Sequence, residues 1–138
     1  MKEAPFKVGY QMIRTEKYGN EVQVYYPISK EIEITQQNNV PYLPHDDKTI
    51  KGLLLLAMGK ILKMEKKGPT FLMNYYKDIS LGVAKNAPLS PKLKDKKIVP
   101  IFFSHGLTSS PHNYSRVLID LASNGYIVFG IFHQDGSC

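Results

Sequence analysis

Tryptophan is absent from the 138 residues, and cysteine occurs once, at Cys138. A single thiol excludes an internal disulfide framework, and the scattered His45, His105, His112 and His133 show no metal-ligand spacing. No bound metal or cofactor is therefore expected. Long apolar runs are missing as well: the longest, Leu53 to Met58, falls far short of the roughly 20 residues that a transmembrane helix needs. Met1-Lys2-Glu3-Ala4-Pro5 lacks the apolar stretch of a secretory signal, and position 2 is not the glycine of a myristoylation motif. The expectation is a soluble, cytoplasmic chain. There is no internal repeat, no helix-turn-helix or zinc pattern, and no basic stripe interleaved with aromatics, so nucleic acid is not an expected partner.

What is present is ordinary for a globular chain: 43% apolar and 22% charged residues, enough for one domain with a core. The formal net charge of +6 comes from lysine-rich runs, Lys60 to Lys67 and Lys92 to Lys97, more than from arginine. Such a balance suits solubility, and also loose association with anionic surfaces such as lipid head groups.

One stretch organises the rest. Ile98 to Phe103 is an unbroken apolar run, which predicts a short strand buried on both faces in a mostly parallel sheet. Pro100 cannot donate to a ladder, so it must lie near the strand's start or where no N–H is needed. The character then changes to Ser104-His105-Gly106, and Ser110-Pro111 has the N-cap and first-turn proline of a helix start. Tyr114, Val117, Leu118, Leu121 and Ala122 share one face of that helix, Arg116, Asp120 and Ser123 fall elsewhere, and Asn124-Gly125 stops it. Tyr126 to Phe132 is a second apolar run. Strand, loop, helix and strand predict a parallel pair with a right-handed crossover. In such sheets ligands gather at the carboxyl ends of strands, where His105-Gly106-Leu107 and His133-Gln134-Asp135-Gly136 emerge.

Upstream, Phe6 to Ile13 and Glu21 to Tyr26 alternate as two strands of a hairpin with one buried face, joined at Tyr18-Gly19-Asn20 and ended by Tyr26-Pro27. Ile28 to Pro44 reads as a surface loop with a short strand at Glu31 to Thr35. From Asp47, Ile50, Leu54, Ala57, Met58, Ile61 and Leu62 form the stripe of a helix covering the sheet, ended by Lys66-Lys67-Gly68-Pro69. Phe71 to Tyr76 is a second short helix or an apolar ledge, and Leu81 to Lys97 is a linker. The expected organisation is a β-hairpin over residues 1–27, a loop and helical connection over 28–97, and a strand-helix-strand unit over 98–138.

Phe103-Ser104-His105-Gly106-Leu107, Tyr114, Ile119 to Val128 and His133-Gln134-Asp135-Gly136-Ser137 together resemble the plasma and intracellular type II platelet-activating factor acetylhydrolases. That family reads Phe-Ser-His-Gly-Leu, Asp-Leu-Ala-Ser-His-Gly-Phe-Ile-Val and His-Arg-Asp at matching places. The match is dense from about Ala87 to Ser137; upstream, Val8-Gly9 and Val24-Tyr25-Tyr26-Pro27 echo the family's opening hairpin. The resemblance implies the N-terminal part of an α/β-hydrolase fold with an incomplete sheet. It implies a phospholipid esterase that removes short or oxidised sn-2 acyl groups with a Ser-Asp-His triad and no metal. By the same carry-over the backbone N–H of Leu107 is an oxyanion donor, with His105 and Gly106 shaping its loop. Read from the residues themselves, His133 and Asp135 fall on one side of an extended segment, and a structural role or a place lining the site entrance is expected ahead of a catalytic dyad, for which the sequence shows no third group. Phe71, Leu72 and Met73 are similar to the core of the family's lipid-contacting helix, with core packing as the alternative.

The chain departs from the family in one large respect: no Gly-x-Ser-x-Gly occurs in it. The triad of this fold follows the fifth strand, so its nucleophile, acid and base are not among these residues, and the chain alone is expected to be inactive. Ser104 and His105 are no substitute, because neighbours in an extended chain point to opposite faces. His45 and His112 are expected in exposed loop or first-turn positions. Two other readings are a non-catalytic lipid-surface-binding module and an α/β-hydrolase with a different ester substrate, such as a dienelactone-hydrolase-like or lipase-like enzyme. In the resembled fold the run at Ile98 lies between two strands; with one neighbour missing it keeps a bare apolar edge that invites aggregation. The isolated chain is therefore expected to be poorly soluble or partner-dependent, and a sharp cooperative unfolding transition from a soluble monomer would contradict this.

Overall fold

The computed structural model describes residues 3–42, 79–106 and 109–133. Its elements are β1 (Lys7–Arg14), β2 (Glu21–Ile28), β3 (Asn39–Pro41), β4 (Ser80–Lys85), β5 (Pro100–Ser104), the helix α1 (Ser115–Ser123) and β6 (Ile127–Ile131). The strands form one sheet in the order β3-β4-β1-β2-β6-β5. The chain divides into two compact units, residues 1–40 with 82–138, and residues 41–81. In the second, Tyr42 N–H donates to the Ile79 carbonyl at 2.8 Å. The expected helix from Asp47 and the Phe71–Tyr76 segment lie outside the described residues.

The hairpin forms as its alternation predicts, β1 and β2 pairing antiparallel from Lys7↔Ile28 to Arg14↔Glu21. Gly19 closes the turn at φ +68, in the left-handed region that glycine enters without a Cβ penalty. Two details differ from the sequence reading. Strand β2 runs through Pro27 to Ile28, and seven of its eight residues are buried on both faces. Pro27 is tolerated because its carbonyl accepts from Ser90 N–H, which places its N on the side away from β1, where no donor is needed. Both faces are covered because Val22, Val24, Tyr26 and Ile28 enter one apolar cluster with Ala84, while Gln23 and Tyr25 face α1.

Strand β2 also pairs antiparallel with β6, from Val22↔Ile131 to Tyr25↔Val128, and β6 pairs parallel with β5. The expected parallel crossover is thus present, joined to the hairpin in a mixed sheet. The segment read as a linker contributes β4, parallel to β1 at Gly9↔Ala84 and Tyr10↔Lys85. Its signal is broken at Gly82, which has φ +68. No strand forms at Glu31 to Thr35; Asn38 instead ties that loop, its Oδ1 accepting from Thr35 N–H at 2.7 Å and its Nδ2 donating to the Glu33 carbonyl at 2.9 Å.

The run expected to be buried on both faces is an edge strand. Beside β5 the described residues place only β6, so exposure alternates along it, and Phe102 is 69% exposed while stacking on Phe129 at 5.1 Å. Pro100 opens the strand, as a residue without an N–H must. The crossover begins with a 3-10 turn at Pro111–Tyr114, so Ser110 stands at the N-cap position of that turn, without a side-chain capping hydrogen bond, and α1 starts only at Ser115. Leu118 and Ala122 are buried as expected, but Val117 is exposed and Ser115 and Ser123 are buried, a rotation that follows from the delayed start. Gly125, at φ +106, supplies the left-handed stop.

Two glycines permit close approach. A Cβ on Gly9 would lie 2.5 Å from the Tyr26 ring, and one on Gly130 3.1 Å from Pro111 Cβ. Gly9→Ala is expected to cost about 1–3 kcal/mol through overpacking, read as a lower urea midpoint with an unchanged slope in an assembly that keeps the chain folded and soluble. An unchanged midpoint would show that the Tyr26 ring yields freely.

Candidate functional site

The carboxyl ends of β5 and β6 are adjacent because the strands are parallel and in register from Pro100↔Ile127 to Ser104↔Ile131. Residues just past these ends therefore meet. Ser104 Oγ lies 2.9 Å from His133 Nε2, and the His105 and His133 rings pack with centroids 4.3 Å apart. His105 is buried, and its Nδ1 donates to the Gly106 carbonyl at 3.0 Å. Tyr114 closes the other side: its ring packs on Phe103 at 4.9 Å, and its hydroxyl lies 3.8 Å from where a Cβ on Gly106 would be.

Of the residues singled out from the sequence, His105, Gly106 and His133 are brought together here. Leu107, Asp135, His45, Phe71, Leu72 and Met73 lie outside the described residues. Ser104 and His105 do not pair with each other, as strand alternation requires. The serine's partner comes instead from the neighbouring strand: Ser104 and Ile131 are register partners, and His133, two residues on, shares Ile131's side of an extended chain. The sequence predicted the parallel pairing of its two apolar runs, and the structure adds the register that makes this contact.

His112 overturns its expected exposure. It is buried, its ring meets Phe132 edge-on at 5.2 Å, and Gln23 Nε2 lies 2.6 Å from its Nδ1. A buried network surrounds this contact. Tyr25 Oη donates to Gln23 Oε1 at 3.2 Å and reaches Ser115 Oγ at 3.3 Å, and Ser115 Oγ donates to the His112 carbonyl at 2.6 Å. Burial pushes the Tyr10 hydroxyl up to about 12, partly offset by a hydrogen bond with Gln23. The same desolvation pulls the His112 imidazole down from 6.5 to about 4. Its motif gave no hint, because the burying partner, Gln23, sits 89 residues away in sequence.

Among the described residues no group of three His, Cys, Asp or Glu side chains could hold a metal ion, and no helix is long and apolar enough to cross a membrane.

A helix-crossed parallel pair with a His-Gly loop leaving the carboxyl end of its first strand, set beside an antiparallel hairpin, defines part of an α/β-hydrolase fold. A ferulic acid esterase from Streptomyces cinnamoneus superposes with a TM-score of 0.51 at 15% identity, over 99% of this chain and 38% of its own length. The sheet here is incomplete by comparison. The sequence model of the family described as platelet-activating factor acetylhydrolase, isoform II, matches residues 2–138, and the chain belongs to that family. The platelet-activating factor acetylhydrolase of dog, Canis lupus familiaris, is 50% identical over 80 residues, 58% of this chain and 15% of the relative. That of guinea pig, Cavia porcellus, is 29% identical over 124 residues, 84% of this chain and 24% of the relative. The chain thus spans about a quarter or less of these relatives' length.

The buried imidazole makes stability depend on pH. The unfolded chain protonates His112 near 6.5 and the folded chain only near 4, so the unfolded state binds more protons between these values. The contribution is complete above pH 6.5 and is lost as pH falls toward 4, by about 3 kcal/mol. In an assembly that keeps the chain folded and soluble, urea unfolding at pH 7 and pH 4.5 should show the loss, and His112→Gln should flatten it; an equal fall in both proteins would assign it to other groups.

Proposed function

We propose that this chain is the oxyanion-loop part of a serine-type carboxylic ester hydrolase acting on phospholipids that carry short or oxidised sn-2 acyl groups. The observation that carries this reading is the Ser104-His105-Gly106 segment, placed at the carboxyl end of β5 beside His133. An ester hydrolase needs preorganised donors where negative charge develops on the carbonyl oxygen, and a main-chain N–H just past a strand is such a donor. In this reading Leu107 gives that N–H, His105 and Gly106 hold its loop, and His133 and Asp135 border the entrance. Phe71, Leu72 and Met73 form the lipid-facing contact.

The attacking serine, the acid and the base are not taken from the residues in hand. Ser104 ends a regular parallel strand, where the fold's nucleophile sits on a sharp strand-to-helix turn of Gly-x-Ser-x-Gly type. The chain alone is accordingly read as inactive, its contribution being half of an anion cradle.

A chimera in which this chain replaces the aligned quarter of the guinea-pig relative tests the reading. It should hydrolyse an sn-2 acetyl phospholipid, the 138-residue chain alone should not, and Leu107→Pro, which removes the N–H, should lower kcat about 10²–10³-fold. A folded chimera that turns over simple esters but not the phospholipid would favour a different ester substrate. An unaltered rate in Leu107→Pro would remove the oxyanion role.

A further inference from the structure

Of the asparagines in the chain, Asn113 alone is followed two places on by a hydroxyl residue with no proline between, in Asn113-Tyr114-Ser115. That triplet is the acceptor pattern for N-linked oligosaccharide, and it is used where the asparagine stands at a surface. The structure puts it there. Asn113 lies in the 3-10 turn at Pro111–Tyr114, whose Pro111 and His112 are buried while Asn113 is exposed. Arg116 and Val117 follow it at spacings of three and four and are exposed as well. The three share the solvent side of the crossover. Asn113 Nδ2 donates to Ser109 Oγ at 3.0 Å, in an exposed contact. An amide nitrogen carries two hydrogens, so a sugar on Nδ2 leaves one for Ser109.

We propose that Asn113 is an N-glycosylation acceptor, filled as the chain enters the secretory lumen and before the crossover folds. The donor is a lipid-linked oligosaccharide. Asn113 Nδ2 attacks its anomeric carbon; the carbon–nitrogen bond forms as the carbon–oxygen bond to the polyprenyl diphosphate breaks, and the amide proton passes to a carboxylate of the transferase. The order of events follows from Ser115, whose hydroxyl the transferase must reach. In the fold that hydroxyl is buried, donating to the His112 carbonyl at 2.6 Å with Tyr25 Oη 3.3 Å away. A folded crossover hides it, so attachment comes first, and whatever later packs near the turn plays no part in the reaction. Val117, an apolar residue 53% exposed, stands one turn from Asn113, and an oligosaccharide rooted there shields it from association. The proposal carries a localisation with it, passage through the lumen, against the cytoplasmic expectation drawn from Met1-Lys2-Glu3-Ala4-Pro5. It does not depend on the ester-hydrolase reading.

Peptide mapping by mass spectrometry of the full-length protein from its own cells tests this. The peptide that contains Asn113 should carry an oligosaccharide, and peptide-N-glycosidase should release the sugar and convert the asparagine to aspartate. The guinea-pig chimera, led by a secretory signal and expressed in mammalian cells, should be occupied at the same position. Asn113→Gln and Ser115→Ala should each abolish the modification there, and Ser115→Thr, which keeps a hydroxyl, should retain it. Because attachment precedes folding, occupancy is read equally well on protein retained inside the cell, so a Ser115 variant that fails to fold still gives an answer. An acceptor triplet appended to the carboxyl end of the chimera reports that the molecule reached the transferase. A bare Asn113 beside a filled appended triplet would overturn the proposal, as would finding only the unmodified peptide in the protein from its own cells.

Discussion

The side-chain amide of Gln23 is fully buried in the middle of a strand that is itself buried on both faces. Removing an amide from water costs several kcal/mol unless its hydrogen bonds are replaced, and here His112 and Tyr25 replace them. That requirement joins the two halves of the sheet. Strand β2 belongs to the hairpin, His112 to the crossover that leads into α1, and neither half satisfies its polar groups alone. A network of this kind, complete, specifies one arrangement; half-made, it is worse than an apolar core.

From that join the geometry at the other end of the sheet follows. Strand β6 is held against β2, β5 is held against β6 in parallel register, and the parallel register carries Ser104 to His133. Gly130 lets Pro111 and Leu118 sit close on the sheet. The site is thus a product of strand order more than of any single motif.

The sequence disclosed the fold through its periods: the hairpin from alternation, the crossover from two apolar runs around an amphipathic helix, and the family from Phe-Ser-His-Gly-Leu and the segments after it. What it hid was governed by distant partners. Strand β5 reads as central because its residues are uniformly apolar, yet exposure depends on neighbours, and Phe102 lies open at an edge. Strand β4 is broken at Gly82 and so does not register as a period. His112 reads as a polar first-turn residue, and its burial is dictated by Gln23, far away in the chain. The Ser104–His133 contact needed the register of two strands, which pattern alone does not give.

The claim on which the account turns is that the main chain just past β5 faces a developing negative charge. A crystal structure of an active assembly containing this chain, inhibited with a phosphonate ester, measures this directly. The account predicts the phosphonyl oxygen within about 3 Å of the Leu107 amide nitrogen, with that N–H aimed at it. A phosphonyl oxygen held by other donors, with the Leu107 amide turned aside, would contradict it.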